Sequence, residues 1–124
     1  MDKKIQTEKA PAAIGAYSQA IEKDNLLFVS GQLPINPETN QMSEDIKIQV
    51  EQSLRNIESI LKASNMTLEN VVKNTIFVTS LEQALEINEV YSEFFESSQP
   101  ARAMVGVKEL PKNALVEIES IAMR

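Results

Sequence analysis

PARAMVGVKELPKNALVEIE, residues 100–119, sets charged side chains inside two apolar runs that a plain core strand would keep free of them. Ala101–Val107 and Leu115–Ile121 are rich in small and β-branched residues, and Leu110-Pro111-Lys112-Asn113 between them has the composition of a hairpin loop. Two paired antiparallel strands are therefore expected. Side chains alternate along a strand, so Arg102, Met104 and Gly106 share one face, and Leu115, Glu117 and Glu119 share another. With the turn centred near Leu110-Pro111, Arg102 falls across from the region of Glu117 and Glu119, within reach of directly opposed or diagonal neighbours. A cation and carboxylates would then meet on one sheet face.

The plain reading of such a pair is a structural salt bridge on a solvated surface. Against it stands the apolar content of both faces, since helices are needed on one and the other would not sit easily in water. At the rim of a half-buried face, a guanidinium offers a rigid two-pronged receptor for a small carboxylate, which lysine cannot match. A glutamate nearby could hold a water.

Composition narrows the chemistry further. The 124 residues, 1–124, fit one domain that buries about two thirds of the surface its unfolded chain exposes. A net charge of -6 disfavours a broad phosphate-binding surface, so no nucleic-acid partner is expected. The chain contains no cysteine and no histidine. Disulfides, thiolate nucleophiles, serine–histidine triads and most zinc sites are thereby excluded. Catalysis would have to use carboxylates, hydroxyls, Arg, Lys, backbone groups and water. MDKKIQTEKAP at the start has no apolar core of a signal peptide, and no stretch approaches the roughly 18 apolar residues of a membrane span, so a cytoplasmic protein is expected.

Upstream of the opening stretch, Ile5 suits a short edge strand and residues 10–16 an irregular small-residue loop. Tyr17-Ser18-Gln19-Ala20-Ile21 and Leu26-Leu27-Phe28-Val29 read as a hairpin around Asp24-Asn25, the second run ending at Ser30-Gly31-Gln32. A Ser-Gly at a strand end either terminates the strand or presents a hydroxyl and an approachable backbone N–H; both readings stand. Tyr17 is more simply a packed ring than a ligand contact. Residues 33–40 form a proline-punctuated loop. From Asp45 to about Ala63 the apolar spacing changes to three and four: Ile46, Val50, Leu54, Ile57, Ile60 and Leu61 mark one face of an amphipathic helix.

Val71–Thr79 reads as a further strand, and Ser80 with Gln83 matches a capping box for a second helix through about Phe95. Asn88 is the polar member of that helix's apolar stripe and needs a hydrogen-bond partner. The order is hairpin, helix, strand, helix, hairpin: an α+β fold with a mixed β-sheet and two helices on one face. Its other face, half apolar, predicts oligomerisation with sites at the seams.

Segments APAAIGAYSQA at 10–20, VSGQLPINPET at 29–39, VVKNTIFVTSL at 71–81, NEVYSEFF at 88–95 and PARAMVGVKELPKNALVEIESIA at 100–122, in this order, make the chain resemble the RidA (YjgF) family of small imine deaminases over nearly its whole length. The resemblance implies a chorismate-mutase-like α+β subunit and a homotrimer with clefts between subunits. It also implies hydrolysis of 2-imino acids, tautomers of enamines such as 2-aminoacrylate, to 2-keto acids and ammonia, with no metal or organic cofactor. Arg102 resembles the family arginine that clamps the substrate carboxylate, and Glu117 the glutamate that positions water. Glu119 is the second choice for that role. Tyr17, Ser30, Gly31, Asn88 and Met104 match pocket-lining positions. Many relatives carry serine and cysteine after the arginine, where this chain has Ala103 and Met104, and proline where it has Ala16; a thiol-dependent role would be lost. A trimer that binds a small carboxylate without turnover, and a ribonuclease, are the competing readings.

Overall fold

The computed structural model describes residues 2–124, which form one six-stranded sheet and two α-helices. The strands are β1 (Lys3–Ile5), β2 (Ala20–Lys23), β3 (Leu26–Gln32), β4 (Val71–Val78), β5 (Ala101–Gly106) and β6 (Val116–Met123). Their order across the sheet is β1-β2-β3-β6-β4-β5. All neighbours are antiparallel except β4 and β5, which run parallel. Helices α1 (Ile46–Ala63) and α2 (Ala84–Phe95) pack on one face, giving the expected α+β architecture.

Helix α1 forms where the apolar spacing placed it. Asp45 caps its start, its carboxylate accepting from the backbone N–H of Lys47 at 2.9 Å and of Ile48 at 3.1 Å, a device worth about 1 kcal/mol. Val50, Leu54, Ile57, Ile60 and Leu61 are fully buried against Leu27, Ile76 and Ile118 of the sheet. Each such side chain contributes about 1.5–3 kcal/mol before entropy is subtracted. The α1 face also buries Gln49, Ser53 and Asn56. Asn56 Nδ2 donates to the carbonyls of Leu33 and Ile35, and Ser53 Oγ to that of Gln32. Buried polar side chains thus tie the proline-rich loop after β3 to the helix, because its backbone acceptors have no strand partner.

Three local expectations are corrected. Tyr17, Ser18 and Gln19 do not join the first hairpin, and β2 begins at Ala20. The buried Gln19 side chain explains the difference: its amide donates to the carbonyls of Thr7, Ala10 and Pro11 and accepts from the Thr7 N–H, holding an irregular loop in place of a ladder. Ser80 makes no capping bond; a 3-10 turn at Leu81–Gln83 leads into α2 instead.

The third correction is topological. β5 and β6 do not pair as a hairpin: β6 is inserted between β3 and β4, and β5 lies beyond β4 at the sheet edge. Burial requirements account for this arrangement. Val116, Ile118 and Ala122 of β6 are fully buried and demand a strand on each side, whereas every residue of β5 except Met104 is exposed. The connection bends through Lys112 and Asn113, with φ of 58° and 59°. No helix among the described residues is long and apolar enough to cross a membrane.

Candidate active site

Strand β6 fixes the first half of the site. Ile118 pairs with Ile76, and Val116 with Val78, on the helix-covered side; Glu117 and Glu119, paired with Phe77 and Thr75, therefore project from the open side. Across from them β3 carries a bulge. Val29 pairs with Ser120 and Gln32 with Ile118, so Ser30 and Gly31 together oppose Glu119. The bulge sets Gly31 directly beneath the Glu117 side chain, where any Cβ would crowd the carboxyl group.

A cavity of about 360 Å³ opens at this point, lined among others by Tyr17, Gly31, Gln32, Leu33, Lys112 and Glu117. Tyr17, 56% exposed, stands in its wall from the loop that Gln19 holds. Glu117 is half-buried, and its carboxyl titrates above the usual glutamate range, first because burial penalises the anion and second because Glu119 repels it. Ser30 contributes less than its sequence position promised. Its hydroxyl donates to the Ser18 carbonyl at 2.6 Å and its N–H to the Gln19 carbonyl at 2.9 Å, so both donors are engaged within the fold.

Arg102 lies elsewhere. Parallel pairing sets it beside Asn74, and Met104 beside Ile76, which are buried under the helices. Both therefore take the helix-covered side, Met104 packing against the core and Arg102 reaching α2 at the sheet edge. Arg102 Nη1 donates to Asn88 Oδ1 at 2.8 Å, and the guanidinium carbon sits 4.8 Å from the centre of the Tyr91 ring. A shallow groove runs along Asn88, Tyr91, Gln99 and Arg102. The expected meeting of Arg102 with Glu117 on one face does not occur within a chain: the two are on opposite sides of the sheet, with β4 between their strands. The site therefore divides into Tyr17, Ser30, Gly31 and Glu117 in one place, and Asn88 and Arg102 in another.

Sequence pattern alone does not single out Gln19, Gln32 or Lys112, which line the cavity, and it leaves Tyr91 as one ring on the apolar stripe of α2. Tyr91 had a signal, since it lies three residues after Asn88 on the same stripe. Among the described residues no three His, Cys, Asp or Glu side chains cluster as a metal would need.

Comparison with known proteins joins these observations. The family model described as "Endoribonuclease L-PSP" matches residues 7–124. A RutC family protein of Aquifex aeolicus is 48% identical over 98% of this chain and 99% of its own. The 2-iminobutanoate/2-iminopropanoate deaminase of Escherichia coli is 42% identical, covering 100% of this chain and 99% of that protein. The crystal structure of Escherichia coli TdcF with bound serine superposes with a TM-score of 0.94 at 40% identity, covering 98% of each chain.

Proposed function

Because the chain belongs to the RidA (YjgF) family, we propose that it hydrolyses reactive 2-imino acids, such as 2-iminopropanoate and 2-iminobutanoate, to 2-keto acids and ammonia. The observation that carries this reading is the division of the site. A half-buried carboxylate lines a cavity on one side of the sheet, and an arginine with no carboxylate partner among the described residues stands at the far edge on the other. Each half lacks what the other has. Packing of one copy's β5 edge against the cavity of the next unites them, and a homotrimer closes such a head-to-tail contact into a ring. The open sheet face, with Phe28 44% and Val105 40% exposed, supplies apolar surface for this association.

The chemistry then runs on groups the chain possesses. Arg102 of one copy clamps the substrate carboxylate through its planar fork, fixing the imine carbon over the neighbouring cavity. Glu117 orients a water and takes one of its protons as the oxygen bonds to that carbon; the C=N π electrons move to nitrogen, which accepts a proton. Glu117, having returned the first proton to nitrogen, carries the carbinolamine's hydroxyl proton to the amino group as well; the C=O bond forms, and the C–N bond breaks to release neutral ammonia. Glu117 suits this exchange because its carboxyl holds a proton more readily than an exposed glutamate does. Tyr17 walls the pocket, and Gly31 gives the carboxylate its space.

Subunit mixing tests the proposal. Arg102→Ala and Glu117→Gln are each expected to remove the acceleration of ammonia release from 2-iminopropanoate, a loss of about a hundredfold or more. Refolded together in equal amounts, they should recover about a quarter of wild-type activity, because each mixed trimer holds one intact site. Failure to recover activity from a mixture shown to contain mixed trimers would place both residues in one copy's site, or outside the mechanism.

A second reading is a trimer that binds small carboxylates without turnover, favoured by the serine in the TdcF structure. Pyruvate binding without acceleration of imine hydrolysis would select it. RNA cleavage, suggested by the family description, fits poorly with a net charge of -6 and no histidine.

A further inference from the structure

Arg102 is supported by neutral groups alone. In a chain with 18 acidic residues against 12 basic ones, a nearby glutamate would be the ordinary partner. Yet among the described residues no carboxylate lies within ion-pair range of Arg102. Its contacts are the Asn88 amide oxygen and the face of the Tyr91 ring. That ring is itself fixed. Tyr91 is 7% exposed, packs on Phe95 with ring centroids 4.8 Å apart, and accepts a hydrogen bond at 2.9 Å from Asn74 Nδ2. Asn74 is fully buried and accepts in turn from the Ser120 hydroxyl. A polar chain thus runs from the centre of the sheet, through Ser120, Asn74 and Tyr91, to the guanidinium at its edge.

We infer that Tyr91 is a positioning residue for carboxylate recognition: with Asn88 it holds the Arg102 guanidinium in place without neutralising it, leaving its charge and remaining N–H donors for a small 2-keto or 2-imino acid. A cation on an aromatic face keeps its full charge, whereas a carboxylate partner would orient the fork equally well and cancel it. Asn88 satisfies one donor with a neutral oxygen for the same reason. Burial and packing on Phe95 fix the Tyr91 ring in place, and the polar chain behind it satisfies its hydroxyl.

The inference rests on the carboxylate clamp proposed above, and its test uses binding as well as turnover so that the two can fail separately. Pyruvate affinity is measured by calorimetry, and KM and kcat with 2-iminopropanoate, for wild type, Tyr91→Phe, Tyr91→Leu and Asn88→Asp. Tyr91→Phe keeps the ring and should bind pyruvate within about twofold of wild type. Tyr91→Leu should weaken binding by about three- to thirty-fold and raise KM by a similar factor with kcat little changed.

Asn88→Asp is decisive and spares the core. It should leave thermal stability unchanged or higher, through a new ion pair to Arg102, and weaken pyruvate by about tenfold or more. Wild-type affinity in Asn88→Asp, or in folded Tyr91→Leu, overturns the inference. Wild type that binds pyruvate but does not accelerate hydrolysis removes the proposed reaction while leaving this support intact. Wild type that does neither removes both.

Discussion

Gly31 and Glu117 are in such close register that a Cβ built on Gly31 would stand 2.9 Å from the Glu117 carboxyl carbon. The bulge in β3 produces this approach, and the backbone of Gly31 does not require the left-handed region. Its reason for being glycine is space for the carboxylate.

Gly31→Ala therefore displaces the Glu117 side chain without straining the main chain. It is expected to lower kcat for 2-iminopropanoate hydrolysis by about ten- to a hundredfold, as small misplacements of reacting groups do. The melting temperature should move little, because a flexible side chain can yield. Stopped-flow measurement of imine loss beside a thermal melt checks both; unchanged turnover would remove Glu117 from the reaction.

Glu117 also sets a pH dependence. Its folded-state carboxyl titrates above the unfolded value, so the native state holds the proton more tightly than the unfolded state does. Its contribution to stability is fully present below the unfolded value and is lost as pH rises through the folded one. Glu117→Gln should therefore be more thermostable than wild type near neutral pH, with the difference shrinking toward pH 4, while hydrolysis falls by about a hundredfold or more. The wild-type rate should decline on the acid side at a pH above the ordinary glutamate range. Parallel melts and pH–rate profiles give the comparison.

Asn74→Ala tests the buried polar chain. It strands the Ser120 and Tyr91 hydroxyls in the core, and each unsatisfied group costs about 1–3 kcal/mol. Urea unfolding should show a loss of about 2–5 kcal/mol. A loss below about 0.5 kcal/mol would mean that both hydroxyls find other partners.

Phe28→Lys places a charge in the middle of the open sheet face, beside Ile121. Sedimentation should show the proposed trimer giving way to monomer, with the proposed hydrolysis falling alongside it. A persisting trimer would locate the association away from this face.

Much of the fold was legible because its signals were periodic. The three-and-four spacing of Val50, Leu54, Ile57 and Leu61 marked α1 to within a residue, and Asp24-Asn25 marked the β2–β3 turn. Partner choice among strands was not legible. Leu110-Pro111-Lys112-Asn113 looks like a hairpin loop, and local pattern cannot reveal that β6 has more to gain between β3 and β4 than beside β5. That single misplacement put Arg102 and Glu117 on a shared face. Alternation along each strand was read correctly, but parallel pairing with β4 turned Arg102 toward the helices. The bulge at Ser30-Gly31 was invisible for a related reason, since register depends on the neighbouring strand.

The place of β6 bears on how the molecule is made. During synthesis β3 and β4 emerge long before residues 116–123, and until those residues leave the ribosome both strands have an edge with nothing hydrogen-bonded to it. Sheet closure is therefore a late event that depends on contacts distant in sequence, which slows folding and exposes the nascent chain to aggregation. Truncations that shave β6 should behave as insoluble polypeptides rather than as slightly shortened versions of the same fold.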